Sequence, residues 1–215
     1  MTGPAALVHT EVMEFGPLAI QFDERVLRPR RWTTAQSAWA SEMLRRGPEG
    51  PVLELCAGVG HIGLLAVAGV TRPLVLMDAN EAACDHAAVN VKNSGSSGPV
   101  DIRCGLMHEV LEDAERFALV IADPPWVPSE ETSRFPQDPL IAIDGGPDGL
   151  DLARMCLALI GRHLAERGSA LMQLGTLDQV GAVESYLIEH PELGLGVAEV
   201  RVFGTDGMLV ALDRF

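Results

Sequence analysis

The sequence predicts an α/β fold: a mostly parallel sheet with helices on both faces, closed at its carboxyl end by an antiparallel hairpin. Three observations predict it. From Pro51 onward, short apolar runs alternate with helix-length amphipathic segments, the pattern of successive β-α-β units. One of those runs, Ala118-Leu119-Val120-Ile121-Ala122, is apolar throughout with no alternation, as a strand covered on both faces requires. Near the end, residues 197–203 and 208–212 face each other across Gly204-Thr205-Asp206-Gly207, whose Asp-Gly pair is a hairpin signal.

In chain order, residues 1–31 read as short strands and turns, with Leu18-Ala19-Ile20-Gln21-Phe22 weakly alternating. Thr33 or Thr34 can cap a helix running to Arg46, with Ala38, Met43 and Leu44 on its apolar side. Gly47-Pro48-Glu49-Gly50-Pro51 ends it. Residues 1–47 are therefore expected to form a flap with one helix, too small to fold alone, on a core of residues 48–215 within a single domain. Strand 52–55 leads into a turn at Gly58 and Gly60 and a helix over 62–70. Strand 74–77 ends at Asp78, and a helix over 81–91 closes at the Ser/Gly-rich stretch 93–98. A strand over 100–104 and a short helix over 109–115 precede the apolar strand at 118–122. Helix 150–164 places Leu152, Met155, Cys156, Leu159 and His163 on one stripe. A strand over 170–174 and a helix over 177–188 then lead to the hairpin.

Composition narrows the function classes. The 215 residues are 47% hydrophobic and 21% charged, ordinary for a globular chain. No apolar run reaches membrane-spanning length, and the amino terminus lacks the pattern of a secretion signal, so the cytoplasm is the expected compartment. Cys56, Cys84, Cys104 and Cys156 are far apart, which fits reduced thiols. The formal net charge of −14 weighs against a protein held on nucleic acid by its bulk field. The arginines at 28, 30 and 31 could meet an anion, although a solvated turn is the simpler account. The six histidines share no spacing, so no metal site is expected.

Chemistry concentrates at strand ends. Asp123-Pro124-Pro125-Trp126 stops the apolar strand, because proline has no backbone donor and fixes φ. The chain must leave the sheet there, carrying a carboxylate and an aromatic to the edge where open parallel sheets bind ligands. The loop that follows, residues 124–149, is too long for a mere connection. In Glu54-Leu55-Cys56-Ala57-Gly58-Val59-Gly60, the glycines let the backbone approach a ligand, while Glu54 is costly inside a strand unless paired. Asp78 ends the next strand about 20 residues on, where an acid takes ribose hydroxyls.

Taken in order, these stretches resemble motifs I, II and IV of class I S-adenosylmethionine-dependent methyltransferases. The resemblance implies a Rossmann-like, seven-stranded sheet with an antiparallel hairpin strand at the carboxyl-terminal edge, and S-adenosyl-L-methionine as cofactor. Ile143-Asp144-Gly145-Gly146-Pro147-Asp148-Gly149-Leu150, with Arg154 beyond it, resembles the segment after motif IV in HemK-type protein-glutamine N5-methyltransferases of compact form. It implies a cofactor set of Thr33, Glu54, Cys56, Gly58, Gly60, Asp78, Ala79, Leu106 and Asp123, and a catalytic set of Asp123, Pro124 and Trp126. Asp-Pro-Pro-Trp stands where HemK-type enzymes carry Asn-Pro-Pro-Tyr, and is similar to enzymes acting on exocyclic amines.

By this resemblance Asp123 and the Pro124 carbonyl would accept the two N–H groups of the acceptor nitrogen, freeing its lone pair. Trp126 would offer a flat face to a planar group. The expectation is N-methylation of an amide or amine on a protein side chain or small metabolite. A nucleobase amine, or a non-catalytic binding protein with a retained fold, are the alternatives.

Overall fold

The structure, a computed structural model, describes residues 9–215; the first eight residues of the expected flap lie outside the described residues. It opens with a hairpin of β1 (Glu11–Phe15) and β2 (Leu18–Phe22), then a 3-10 turn at Arg31–Thr33 that runs straight into α1 (Thr34–Arg46). Because that turn is already helical, Thr33 makes no side-chain cap; its hydroxyl donates to the Arg30 carbonyl instead (2.8 Å). The buried face of α1 is Gln36, Ser37, Trp39, Ala40 and Leu44, so Ala38, expected inside, is exposed.

Next come β3 (Val52–Leu55), α2 (His61–Ala66), β4 (Leu74–Asp78), α3 (Glu81–Ser94), β5 (Val100–Cys104) and β6 (Phe117–Ala122). The chain between β5 and β6 holds turns rather than the expected helix at 109–115. A bidentate pair from Arg103 to Glu115 (2.7 and 2.8 Å) ties that segment to β5 without a helix. Helix α2 is shorter than expected, ending at Ala66 and loosening into turns. After β6 come a 3-10 turn at Ser129–Arg134, α4 (Leu140–Ile143), α5 (Asp151–His163), β7 (Leu164–Leu174) and α6 (Leu177–Glu189). The chain ends with β8 (Leu195–Val202) and β9 (Met208–Arg214). Strand β7 begins well before residue 170, because Leu164 already pairs with Phe117 and an irregularity resets the register at Leu119 and Ser169.

The seven-stranded sheet has the order β5-β4-β3-β6-β7-β9-β8, parallel from β5 to β7 and antiparallel at both β9 pairings. Thus β9 inserts between β7 and β8, and β8 takes the edge. Strand order reverses between β3 and β6, the switch point at which such sheets open a crevice beyond their carboxyl ends. One core face packs α1, α2, α3 and the β1-β2 hairpin, with Phe15, Ile20, Phe22 and Trp39 against Leu119, Ile121 and Leu171. The other packs α5 and α6, with Leu157, Ile160, Val183 and Leu187 against Leu53, Val120 and Met172. Residues 9–47 therefore share a core with the sheet. Asn90 of α3 reinforces this by pairing with both the N–H and the C=O of Gln21 (2.7 and 3.0 Å). No helix among the described residues is long and apolar enough to cross a membrane.

Candidate active site

A cavity of about 710 Å³ opens at the switch point, within the range of small-molecule sites. Register explains what lines it. Leu55 pairs with Met77 on one side and Ala122 on the other, so the next residues on the three strands, Cys56, Asp78 and Asp123, come abreast. All three line the cavity. Two acids and a small residue thus stand in one row at the end of the sheet.

Asp78 is held by backbone. Its two oxygens accept from Gly58 N (2.7 Å) and Asn80 N (2.9 Å). Burial pushes its carboxyl above the ordinary range, partly offset by those bonds. Gly58 has a φ of 53° with open space where a side chain would stand. Gly60 has a φ of 78°, and a carbon there would press on Leu76. Cys56 takes the same left-handed region (φ 55°) without being glycine.

Asp123 is half-buried, and burial raises its carboxyl to about 7. Burial is the cause of this rise, and Asp123 in turn helps raise the carboxyl of Glu54. The cavity continues past it to Pro125, Ser129, Asp144 and Asp151. Asp144 is kept ionised by the Ser129 hydroxyl (2.7 Å) and Gly146 N (2.9 Å). Around the mouth stand Leu106, Leu140, Ile141 and Met155, all large apolar side chains with substantial exposure. Arg28 and Arg30 reach the rim, but each is paired, to Glu11 (2.8 Å) and Asp138 (2.5 Å).

Of the residues expected here, Thr33, Cys56, Gly58, Asp78, Ala79, Leu106 and Asp123 line the cavity. Glu54, Gly60, Pro124 and Trp126 do not. Glu54 is fully buried beneath α2, accepting from Gly63 N (2.9 Å), and burial drives its carboxyl well above the ordinary range. It serves the strand-to-helix joint, where a carbon on Gly63 would overlap it. Pro124 is buried behind the lining. The Trp126 ring packs on Gly175, where any side chain would overlap it, and its carbonyl accepts from Gln179 Nε2 (2.8 Å). One side of the ring is therefore packed, while the residue as a whole stays partly exposed.

Of the mouth residues the sequence pointed to Leu106 but not to Leu140, Ile141 or Met155, and it did not reveal the burial of His61. His61, directly after the glycine turn, is only 9% exposed and lines the cavity. The length of loop 124–149 was the one signal for the mouth. Leu152 and Met155, assigned to the packed stripe of α5, face outward; the packed residues are Ala153, Cys156, Leu157, Leu159, Ile160 and His163.

Comparisons with known proteins agree with this arrangement. The family model described as methyltransferase small domain matches residues 35–142. The chain is 29% identical over 188 residues to a ribosomal protein uL3 glutamine methyltransferase of Burkholderia pseudomallei, covering 80% of this chain and 60% of that protein. It is 31% identical over 163 residues to a release factor glutamine methyltransferase of Gloeobacter violaceus, covering 73% of this chain and 57% of that protein. The chain thus spans less than two thirds of the length of these curated relatives. A methyltransferase structure from Pyrococcus furiosus superposes with a TM-score of 0.65 at 17% identity, over 92% of this chain and 89% of that one, which shows the shared fold. The sheet order, the switch-point cavity and a match over half its length make this chain a member of the methyltransferase small domain family.

Proposed function

We propose that this protein transfers the methyl group of S-adenosylmethionine to a side-chain amide nitrogen of a protein, of the glutamine kind. The observation that carries the reading is Asp123: a half-buried carboxyl with a raised pKa, abreast of Asp78 in one cavity. The relatives named for glutamine methylation support the amide. The mouth supports a protein acceptor, since its apolar side chains and paired arginines leave little to hold phosphates. Four free thiols fit the cytoplasm as its compartment.

The cavity suits the cofactor. Asp78 has both oxygens oriented by backbone and keeps lone pairs for the hydroxyls of a ribose. The open space over Gly58 lets a ligand lie close to the main chain. Ala79 and Leu106 offer apolar walls to a flat base. Thr33, its hydroxyl hydrogen committed to Arg30, is left as an acceptor. Glu54 and Gly60 shape the turn and the start of α2 from beneath. The cofactor, when bound, supplies an electrophilic methyl on a sulfonium.

The chain's own part is positioning and electrostatics. An amide nitrogen is a poor nucleophile because its lone pair is delocalised into the carbonyl. Ionised Asp123 accepts one N–H, turns the nitrogen, and stabilises the positive charge that develops on it. Protonated Asp123 lacks the charge and most of the accepting capacity. Gln179 bonds both the Trp126 carbonyl and Gly175 N, which ties the chain leaving β6 to the end of β7.

Label transfer from methyl-tritiated cofactor into a lysate, with protein, nucleic acid and small molecules counted separately, tests the reading. Counts are expected in protein and reduced about 10²- to 10³-fold by Asp123→Ala. Counts in nucleic acid would instead favour the exocyclic-amine alternative.

A further inference from the structure

The four cysteines, far apart in sequence, come together in the fold as two pairs: Cys56 with Cys156, and Cys84 with Cys104. The first pair is internal. Cys156 is fully buried in the second core, and Cys56 packs against that core from the cavity wall. The second pair is reached from solvent, because Cys104 is exposed while Cys84 is buried. Both of its residues stand just outside the cavity lining.

Strand alternation and the cover of α3 bring that second pair together. Val100 and Ile102 of β5 pack against the core that α3 covers, so period two turns Cys104 to the same face. Cys104 is also the register partner of Asp78 in the parallel ladder. The Asp78 carbonyl accepts from Gly105 N (3.0 Å), directly after Cys104, and from the Cys84 thiol (3.5 Å). Cys84 reaches it from the first turn of α3, where its own N–H bonds the Asn80 carbonyl (3.1 Å). The two thiols therefore flank one peptide carbonyl and lie in hydrogen-bonding contact with each other. Burial, and the Cys104 thiol beside it, push the Cys84 thiol up, so Cys84 stays protonated while Cys104 faces any reagent from solvent.

We propose that Cys84 and Cys104 are a peroxide-sensitive dithiol whose disulfide weakens binding of the methyl donor, an effect that rests on the methyl-donor reading above. The Cys104 sulfur, as thiolate, attacks one oxygen of hydrogen peroxide and breaks the O–O bond. The departing hydroxide takes up the proton that Cys104 released and leaves as water. The Cys84 sulfur then attacks the sulfenic sulfur of Cys104: the S–S bond forms, the S–O bond breaks, and the hydroxyl leaves with the Cys84 proton as a second water. In all, the thiols lose two electrons and two protons, and one peroxide becomes two waters. The disulfide removes the thiol's donation to the Asp78 carbonyl and draws the end of β5 onto the first turn of α3. Ala83, beside Cys84, and Gly105 and Leu106, after Cys104, line the cavity, and Asn80 N of the same turn orients the Asp78 carboxylate (2.9 Å). Bridging the pair thus shifts the wall assigned to the flat base of the donor and the acid assigned to its ribose.

Hydrogen peroxide treatment of the full chain, then alkylation, digestion before aspartates and mass spectrometry, tests the bond. Such digestion releases residues 78–84 and 101–112, each with one cysteine of the pair. They are expected as one joined species, lighter by two hydrogens and separated by dithiothreitol. Calorimetric titration with S-adenosylhomocysteine tests the consequence: affinity is expected to fall about ten-fold after peroxide and to return with dithiothreitol. Cys104→Ser is expected to bind as the reduced protein does, before and after peroxide. No joined species, a bond between Cys56 and Cys156 in its place, or a joined species with unchanged affinity would overturn the proposal. So would an equal loss in peroxide-treated Cys104→Ser, which would trace the effect to methionine oxidation. Failure of the reduced protein to bind S-adenosylhomocysteine would overturn the methyl-donor reading and the proposed effect with it, whereas the joined peptides are read without any ligand.

Discussion

At the scale of single residues, Asp123 carries the most consequence. Its carboxyl, raised to about 7, accepts hydrogen bonds well only when ionised, so kcat/KM is expected to rise with pH through about 7 and then level. Asp123→Asn keeps an acceptor oxygen with no titration, and the acidic limb should flatten in a pH-rate series while measurable turnover remains. The same shift has a sign for stability. A carboxyl raised in the folded state contributes stability that is complete below the ordinary carboxylate pKa and is lost as pH rises through about 7. Asp123→Asn is therefore expected to raise Tm at pH 8.5, by about 5 °C, and hardly at all at pH 4, in a thermal melt without ligand. The identity of this residue was legible in the sequence, because two prolines after an apolar strand leave the preceding acid at the sheet edge. The raised pKa was not, since it comes from burial that only the three-dimensional neighbourhood supplies. Trp126, expected to offer a flat face, packs part of its ring against Gly175, 49 residues later, a contact that no local pattern reports.

At the scale of elements, the loop between β6 and α5 is folded on itself by backbone hydrogen bonds. Val127 and Asp144 form a bridge, Gly145 N reaches the Val127 carbonyl (2.9 Å), and Arg30 of the amino-terminal segment pairs with Asp138. An exposed pair of this kind adds little to global stability, and Arg30→Ala should shift Tm by less than about 2 °C. It does span two segments on either side of the cavity mouth. Limited trypsin digestion is therefore expected to cut after the exposed Arg134 several-fold faster in Arg30→Ala; an unchanged rate would mean that the loop is held without the pair. Strands and long helices were legible here because apolar periodicity reports burial. The segment at 109–115 misled, because its apolar residues Val110 and Leu111 pack beside the second core without helical hydrogen bonds. Helix α5 was found, but its stripe was assigned to Leu152 and Met155, whose apolar character serves the cavity mouth. An apolar side chain at a mouth and one in a core read alike in sequence.

At the scale of the whole molecule, a buried network joins the amino-terminal segment to the sheet. Asp23 is 2% exposed and accepts from Arg25 and from His86 Nε2 (2.7 Å), while His86 also meets Gln21 (3.3 Å). The Arg25 guanidinium holds the Asp23 carboxyl well below the usual range. A carboxyl depressed in the folded state contributes stability above its ordinary pKa that is lost as pH falls below it. Asp23→Asn should therefore cost about 2 kcal/mol in urea unfolding at pH 7, and progressively less as pH falls below about 4. The network was invisible in the sequence, since its partners lie as many as 65 residues apart. The alternation of strands and helices around it was legible, but the order that sets the switch point was not, since right-handed crossovers alone do not decide which strands pair.

The central claim is that the methyl group ends on a side-chain amide nitrogen of a protein. Acid hydrolysis of the labelled protein fraction tests it most directly, because hydrolysis of an N-methylated amide releases volatile methylamine, whereas a methylated amine keeps its methyl on the amino acid. The account expects the tritium to leave as methylamine, in proportion to enzyme and dependent on Asp123. Label that stays with a non-volatile amino acid, or that never enters protein, would contradict it.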